Sequence, residues 1–173
     1  MTFARPDHIS DLETLPRMPS WVTSMRAEAF EDVAFLSGAA LNHLYLVLGH
    51  EKVPHGLLRD RLALRAAEAC VAFAGRSERA VELRDAVHLL RPGDLPGPAG
   101  ETCLIWRRAV ERPVSIRALG RALPAFEPGQ IAAWLDAGKG APVTRAAMVL
   151  EAVLRDAPRA EVAGLILADV ALA

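Results

Sequence analysis

Aromatic side chains are scarce in this sequence. Phe, Trp and Tyr together make up 5% of the 173 residues, although apolar residues as a whole make up 52%. A core with so few rings must be filled by Ala, Leu and Val, which suits closely packed helices better than a β-sandwich. The strict alternation of apolar and polar residues that marks a half-buried strand is missing as well. The composition therefore predicts an all-α fold.

Cysteine, net charge and long apolar runs are also limited. Cys70 and Cys103 both lie in apolar helical segments, so we interpret them as buried free thiols in a reducing compartment. The 20 basic and 21 acidic residues leave a net charge of −1, which argues against a surface that attracts nucleic acid or an anionic membrane as a whole. No apolar signal region opens the chain, and the longest apolar run, at 33–48, is too short to span a bilayer. These absences predict a cytoplasmic protein that does not contact membranes.

Apolar residues recur at steps of three and four along most of the chain, the spacing of helices that bury one face. Residues 1–26 are predicted to form an extended N-terminal arm and 27–173 a single all-α domain, with 27–112 and 113–173 as possible sub-lobes. We expect a compact bundle of about eight helices. The predicted helices are 27–49, 55–74, 77–91, 98–112, 115–123, 128–136, 142–156 and 159–173. The first of them is predicted to bury Val33, Leu36, Ala40, Leu44 and Val47.

Three of these helix ends carry residues that favour a particular cap. Gly75 fits the position after a helix, where a positive φ is needed. Ser77 and Ser115 have hydroxyl groups that accept hydrogen bonds from the free N–H groups of a first turn, so we predict both as N-caps.

The segment RPGDLPGPAG, residues 91–100, contains three prolines and three glycines. Pro92-Gly93 and Pro96-Gly97 each fit the two central positions of a type II turn, and Pro98 fits the first residue of a helix. The segment therefore predicts a rigid joint between two helices. That structural role accounts for every proline and glycine in it without a ligand.

A series of uncommon strings follows one order through the middle of the chain. They are LALRAA (62–67), GR (75–76), LRDA (83–86), RPGD (91–94), GPAG (97–100) and WRR (106–108). On these strings, residues 30–123 resemble the bacterial domain-of-unknown-function family 1403. The resemblance implies a bacterial, often plasmid-borne protein without an assigned activity, and relatives that are usually longer than this chain.

A small anionic ligand is one possible partner of the 91–100 joint. Arg84, His88 and Arg91 are spaced i, i+4, i+7 and so share one helix face that ends at the joint. Opposite them, the backbone amides near Gly100 are predicted to form a helix N-terminus, and arginines that face free amides make an anion site. The Lys-Ser/Thr ending of a nucleotide-binding P-loop is missing.

Patterns for metal binding and catalysis are incomplete. His50 and His55 are one residue further apart than in the zinc motif HExxH, and Pro54 between them breaks the helical turn that the motif needs. Asp85 and His88 form a single carboxylate–histidine pair, whereas di-iron bundles need two. No Cys-x-x-Cys or Gly-x-Ser-x-Gly occurs. We expect no metal, no cofactor and no catalytic residue, and a non-enzymatic protein is favoured.

Residues 115–135 look like a helix-turn-helix. Four arginines, Arg108, Arg112, Arg117 and Arg121, line its approach and are positioned to contact phosphates. Two features count against specific DNA reading: the turn is at least one residue too long, and the second helix offers one Gln but no Arg or Lys to a base edge.

The preferred interpretation is a non-enzymatic, all-α protein-interaction or scaffold module that works as a subunit of a larger assembly, with a protein partner or further copies of itself. We expect contacts from Phe35 and Tyr45 on the first helix and from Leu165, Ile166 and Val170 on the last. Two alternatives stay open. One is a DNA-associated plasmid-maintenance or regulatory protein that uses the 115–135 hairpin, and the other is a binder of a small anion beside residues 91–100.

Overall fold

The computed structural model describes residues 17–111 and 113–172, and within them every regular element is an α-helix. The helices are α1 (Ser20–Ser24), α2 (Phe30–Leu48), α3 (His55–Phe73), α4 (Ala80–His88), α5 (Gly97–Ala109), α6 (Ile116–Ala122), α7 (Pro128–Ala137), α8 (Pro142–Asp156) and α9 (Glu161–Leu172). This confirms the all-α prediction. The five-residue α1 is additional to the roughly eight helices expected and lies within the predicted N-terminal arm, of which residues 1–16 fall outside the described part.

The chain separates into two units, the first ending at His55 and the second beginning at Gly56. In the first unit the Trp21 ring stacks on Phe35, with centroids 5.5 Å apart and planes 19° from parallel. The carboxylate of Asp32 accepts hydrogen bonds from the backbone N–H groups of Glu28 and Ala29, which fixes the start of α2. The predicted sub-lobes, 27–112 and 113–173, stay a prediction, and the contacts divide the chain at a different place.

The second unit has a core of small side chains. In this unit α5 packs against α4, α6 and α9, while α8 pairs with α9 and also contacts α7. Alanine is the commonest residue of the core, and Trp106 and Trp134 supply its large rings. The most deeply buried large side chains are Leu83, Leu119, Ile131, Ile166, Leu167, Val71, Val149 and Val153. Helices with such small contact residues approach one another closely, as the low aromatic content predicts.

Two of the predicted helix caps are confirmed. Gly75 has a φ of 76° after the end of α3, and its N–H donates to the carbonyl of Ala72 at 3.0 Å. The N–H of Arg76 donates to the carbonyl of Val71 at 3.1 Å, which completes a Schellman motif. At the start of α6, Ser115 Oγ accepts from a first-turn N–H at 3.1 Å.

The predicted N-cap at Ser77 is wrong, because α4 begins three residues later, at Ala80. Two carboxylates satisfy the N–H groups there. Glu82 accepts from the N–H of Arg79 at 2.7 Å, and Glu68 of α3 accepts from the N–H of Ala80 at 3.1 Å. The carboxylate of Glu68 is twelve residues away in sequence, so local spacing gave no sign of it.

The 91–100 joint contains one of the two predicted type II turns. Gly93 has a φ of 96°, and the N–H of Asp94 donates to the carbonyl of Arg91 at 3.0 Å, as a type II turn requires. The second prediction is wrong, because Pro96 has a ψ of −7° where a type II turn needs about +120°. Pro96 instead leads directly into α5, whose first residue, Gly97, has a φ of 67°.

Gly100 is a buried residue of α5 that packs beside Ala86 of α4. A Cβ atom added to Gly100 would lie 2.9 Å from Cβ of Pro96 and 3.3 Å from Cβ of Ala86. Neither neighbour is the flexible end of a long side chain, so the contact has no easy way to relax. The first turn of α5 therefore has no room for a side chain at Gly100, which lies between Pro96 at the start of α5 and Ala86 of α4.

We expect Gly100→Ala to lower the free energy of unfolding by about 1–3 kcal/mol, because the added methyl overpacks the contacts with Pro96 and Ala86. The matched control is Gly129→Ala in the first turn of α7, where an added Cβ atom would have no other heavy atom within 4 Å. The control should be neutral or stabilised by up to about 1 kcal/mol, since Ala favours helix over Gly. Urea unfolding followed by circular dichroism measures both. Equal stability of the two variants would contradict the close-packing account.

Candidate functional site

Helix α2 carries more exposed large apolar side chains than any other described helix. None of its 19 residues is buried in the described part of the chain. Phe30 is 91% exposed and Tyr45 is 77% exposed. The other exposed large apolar residues of this helix are Val33, Phe35, Leu44, Leu46 and Leu48. A helix that is apolar on most sides is usually buried or partnered, so α2 is the first candidate for a functional surface.

One row of residues on α2 alternates steps of four and three, the spacing with which one helix packs along another. We call this row the α2 stripe, and it consists of Phe30, Ala34, Ser37, Leu41, Leu44 and Leu48. It runs the whole helix, a length of about 28 Å at about 1.5 Å per residue. The helix has no Lys or Arg, and its two acidic residues, Glu31 and Asp32, both lie in the first turn. The stripe is therefore uncharged and, apart from Ser37, apolar.

The sequence assigned part of this surface to the core. Leu36, Ala40 and Val47 are half-buried as predicted for a core-facing side, but Val33 and Leu44 are exposed. Phe30, the most exposed aromatic residue of the helix, was missed. The sequence did contain one indication of this exposed surface. Apolar residues extend round more of the helix than a single packing face needs.

The five predicted interface residues have different environments. Tyr45 is exposed, and Phe35 is exposed but stacked on Trp21. On α9, Leu165 is 38% exposed, whereas its neighbour Ile166 is 1% exposed and belongs to the core of the second unit. Val170 is half-buried against that core. Consecutive helical residues point about 100° apart, so Leu165 can be exposed while Ile166 is buried. Ile166 therefore has no free surface for a partner.

Only part of the predicted anion site is engaged by other residues. The guanidinium of Arg84 donates two hydrogen bonds to Oδ1 of Asp85, at 2.9 Å and 2.8 Å. Arg91 and His88 are exposed, and Asp94 accepts from the backbone N–H of Arg91 at 3.0 Å. Gly100 is buried against Pro96 and Ala86 rather than facing an open space. The anion site stays a prediction, and the packing of Gly100 does not add to its support.

The predicted helix-turn-helix corresponds to α6 and α7, joined by residues 123–127. Five connecting residues exceed the three or four of the usual motif. Trp134 fixes α7 to the core, since its Nε1–H donates to Asp156 Oδ2 at 2.8 Å and its ring meets Phe126 edge-on at 5.1 Å. Gln130 is exposed on α7, a helix without Arg or Lys.

The arginines predicted to contact nucleic acid are exposed where the structure describes them. Arg108 lies in the last turn of α5, and Arg117 and Arg121 lie one turn apart on α6. None of these three forms an ion pair with another described residue. Arg112 lies outside the described residues.

The two cysteines lie in the core of the second unit. The indole Nε1–H of Trp106 donates to Cys70 Sγ at 3.3 Å, which joins α5 to α3. Cys103 lies one turn before Trp106 on α5 and is also a buried free thiol. Burial raises the pKa of both thiols above its ordinary value. This confinement favours the neutral thiol and is unlike the environment of a nucleophilic cysteine.

Metal-binding clusters and bilayer-spanning helices are both absent from the part of the chain that the structure describes. Within 17–111 and 113–172, no three residues of the types His, Cys, Asp and Glu come together as a metal site. None of the helices in these ranges combines the length and the apolar character that a membrane crossing requires.

Similarity to known proteins is found at the level of the family. A family model described as "Protein of unknown function (DUF1403)" matches residues 6–173, nearly the entire chain. No curated protein and no solved structure matches the sequence. The resemblance drawn from residues 30–123 is thereby confirmed over a longer stretch.

We expect both cysteines to react with a chromogenic disulfide reagent more slowly in the folded protein than in urea. The raised thiol pKa lowers the thiolate fraction at neutral pH, and burial restricts access. A folded-state thiol pKa above the unfolded value contributes stability that is present below the unfolded pKa and lost as pH rises through the folded pKa. Absorbance during labelling measures the rates, and unfolding across alkaline pH measures the stability. Equal labelling rates in both states would contradict the burial of these thiols.

Proposed function

The chain belongs to the DUF1403 family of proteins of unknown function, and we propose that it is a non-enzymatic protein-interaction module whose contact surface is α2. In this proposal the module is a subunit of a larger assembly. The observation that carries it is the absence of any buried residue along a 19-residue helix that is mostly apolar, within the described part of the chain.

Burial of this surface would release substantial free energy. Removing a large apolar side chain from water contributes about 1.5–3 kcal/mol. Phe30, Leu44, Tyr45 and Leu48 are all exposed and lie on the α2 stripe or next to it. A few such residues are enough to dominate the affinity of a protein interface, even after the loss of rotational and translational freedom is counted.

The spacing of the α2 stripe defines the kind of surface that fits it. Residues at alternating steps of four and three pack against another helix or into an apolar groove. Because α2 has no Lys or Arg, its exposed face offers no positive charge to a nucleic acid backbone. We therefore expect a protein surface as its occupant.

We expect Leu44→Glu with Tyr45→Glu to abolish association through α2, because both charges would be buried in the complex. The control is Val81→Glu with Leu89→Glu, at exposed positions in and after α4 in the second unit. All four positions are exposed, so each double variant should keep its helicity and lie within about 1 kcal/mol of the parent in stability. Sedimentation velocity, alone and with co-expressed host proteins, measures association.

A photoreactive residue separates a direct contact from an indirect effect. With p-benzoylphenylalanine in place of Tyr45, irradiation in cells should yield a discrete adduct, which mass spectrometry identifies as a second copy or a different protein. The same residue in place of Val81 should not yield that adduct. Adducts at neither position, or the same adducts at both, would contradict the proposal that α2 is the contact surface.

Nucleic acid binding through α6 is the second candidate, favoured by the exposure of Arg117 and Arg121 on one face of that helix. If both bind phosphates, Arg117→Ala with Arg121→Ala should reduce the slope of log affinity against log salt by about 1.8. The control is Arg61→Ala with Arg65→Ala, an exposed pair at the same spacing on α3. Fluorescence anisotropy with a labelled duplex measures the slope. A parent protein that does not bind duplex DNA, or an unchanged slope, excludes this candidate.

A further inference from the structure

A cleft with a volume of about 150 Å³ opens beside Cys70, within the second unit. It lies between the C-terminal end of α3 and the first half of α9. Its lining residues are Cys70, Phe73, Ala74, Glu161, Val162 and Leu165. Neither the α2 stripe nor the 91–100 joint contributes to it, so its function is separate from the proposed contact surface.

The walls of the cleft are largely apolar and well fixed at the base. Cys70 is buried there, and the Nε1–H of Trp106 holds its sulfur in place. The rim is formed by Phe73, which is 78% exposed, and by Leu165. An exposed aromatic ring beside an open apolar cleft gives a ligand a large surface to contact. Water molecules in such a cleft form few hydrogen bonds with its walls, so a ligand that displaces them breaks few hydrogen bonds.

Glu161 is the one charged residue that lines the cleft among the described residues. It lies in the first turn of α9 and forms no ion pair with another described residue. No basic side chain lines the cleft in that part of the chain. The charge of the site is therefore negative, which favours a cation and opposes an anion.

From this arrangement we propose that the cleft binds a small organic cation, an aryl- or alkylammonium with an apolar body. The ring or alkyl group fills the space between Phe73, Val162 and Leu165, and the ammonium group pairs with the Glu161 carboxylate. The volume suits a single ring, because an apolar cavity of about 150 Å³ binds benzene, and the ammonium group then lies at the open side of the cleft beside the exposed Glu161. The exposed ring of Phe73 adds a face on which a cation is attracted.

Three probes with the same ring test the charge preference on the full chain. Benzylamine, benzyl alcohol and benzoate differ in the charge of the group attached to the ring. We expect benzylamine to bind at least about fivefold more tightly than benzoate, with benzyl alcohol between them, since a solvent-exposed ion pair changes affinity by a few-fold. Titration followed by NMR measures the affinities and maps the amides that shift.

Two variants fill the cleft, and one removes its charge. Leu165→Trp and Ala74→Trp both place a bulky ring in the space from positions that are exposed, and each should weaken benzylamine binding at least about tenfold. Leu95→Trp, at a loop residue that is also exposed, is the control and should bind as the parent does. Glu161→Gln should bring benzylamine to the affinity of benzyl alcohol, whereas Glu151→Gln on α8 should leave it unchanged.

Each result decides the proposal. Preference for benzylamine, with loss in either cleft-filling variant that keeps its circular dichroism spectrum, supports it. It is overturned if benzylamine does not bind, if benzoate binds as tightly, or if binding survives in both Trp variants. Because none of these measurements depends on α2, the result is independent of the interaction tests above.

Discussion

Because Gly100 has no side chain, α5 packs closely beside Ala86 of α4. Other helix contacts in the second unit also depend on small residues. At Gly164 of α9, a Cβ atom would lie 2.8 Å from Cδ1 of Leu150 on α8. Alanine is the commonest residue among the remaining core positions. Small contact residues give each helix pair little apolar area unless the backbones approach closely. The geometry of such crossings must therefore be maintained closely, and at Gly100 the packing leaves no room for a side chain.

Within this core, the tryptophans connect segments that are distant in sequence. Trp106 reaches from α5 to Cys70 on α3, and Trp134 reaches from α7 to Asp156 at the end of α8. Each indole contributes a large apolar area and uses its one polar group in a hydrogen bond. No buried side-chain nitrogen or oxygen is left without a partner in the described residues. The two indole rings thus connect helices that are distant in sequence more strongly than contacts between alanines alone would.

The sequence predicted the elements of this fold better than their environments. Apolar spacing located the helices, and Gly75 and Ser115 marked ends that depend on neighbouring residues only. The start of α4 was misplaced because Glu68, a residue of another helix, satisfies one of its N–H groups. The role of Gly100 depends on a contact with α4, which no local pattern contains. Most local interactions were therefore predictable, although the turn at Pro96-Gly97 was not, and contacts between helices were not.

The dependence on contacts between helices also explains why the sequence alone did not identify the exposed surface of α2. Helices α2 and α9 are both strongly apolar, so periodicity alone predicts a buried face for each. The structure separates them: α9 is covered by α8, α5 and α7, while no residue of α2 is buried in the described chain. The cover that α8 gives to α9 is an apolar helix face that accommodates a close approach at Gly164. A partner that covers α2 needs comparable chemistry, an uncharged apolar face about 28 Å long with room for Phe30 and Tyr45. What distinguishes α2 from a core helix is therefore its environment, because its composition alone does not separate the two.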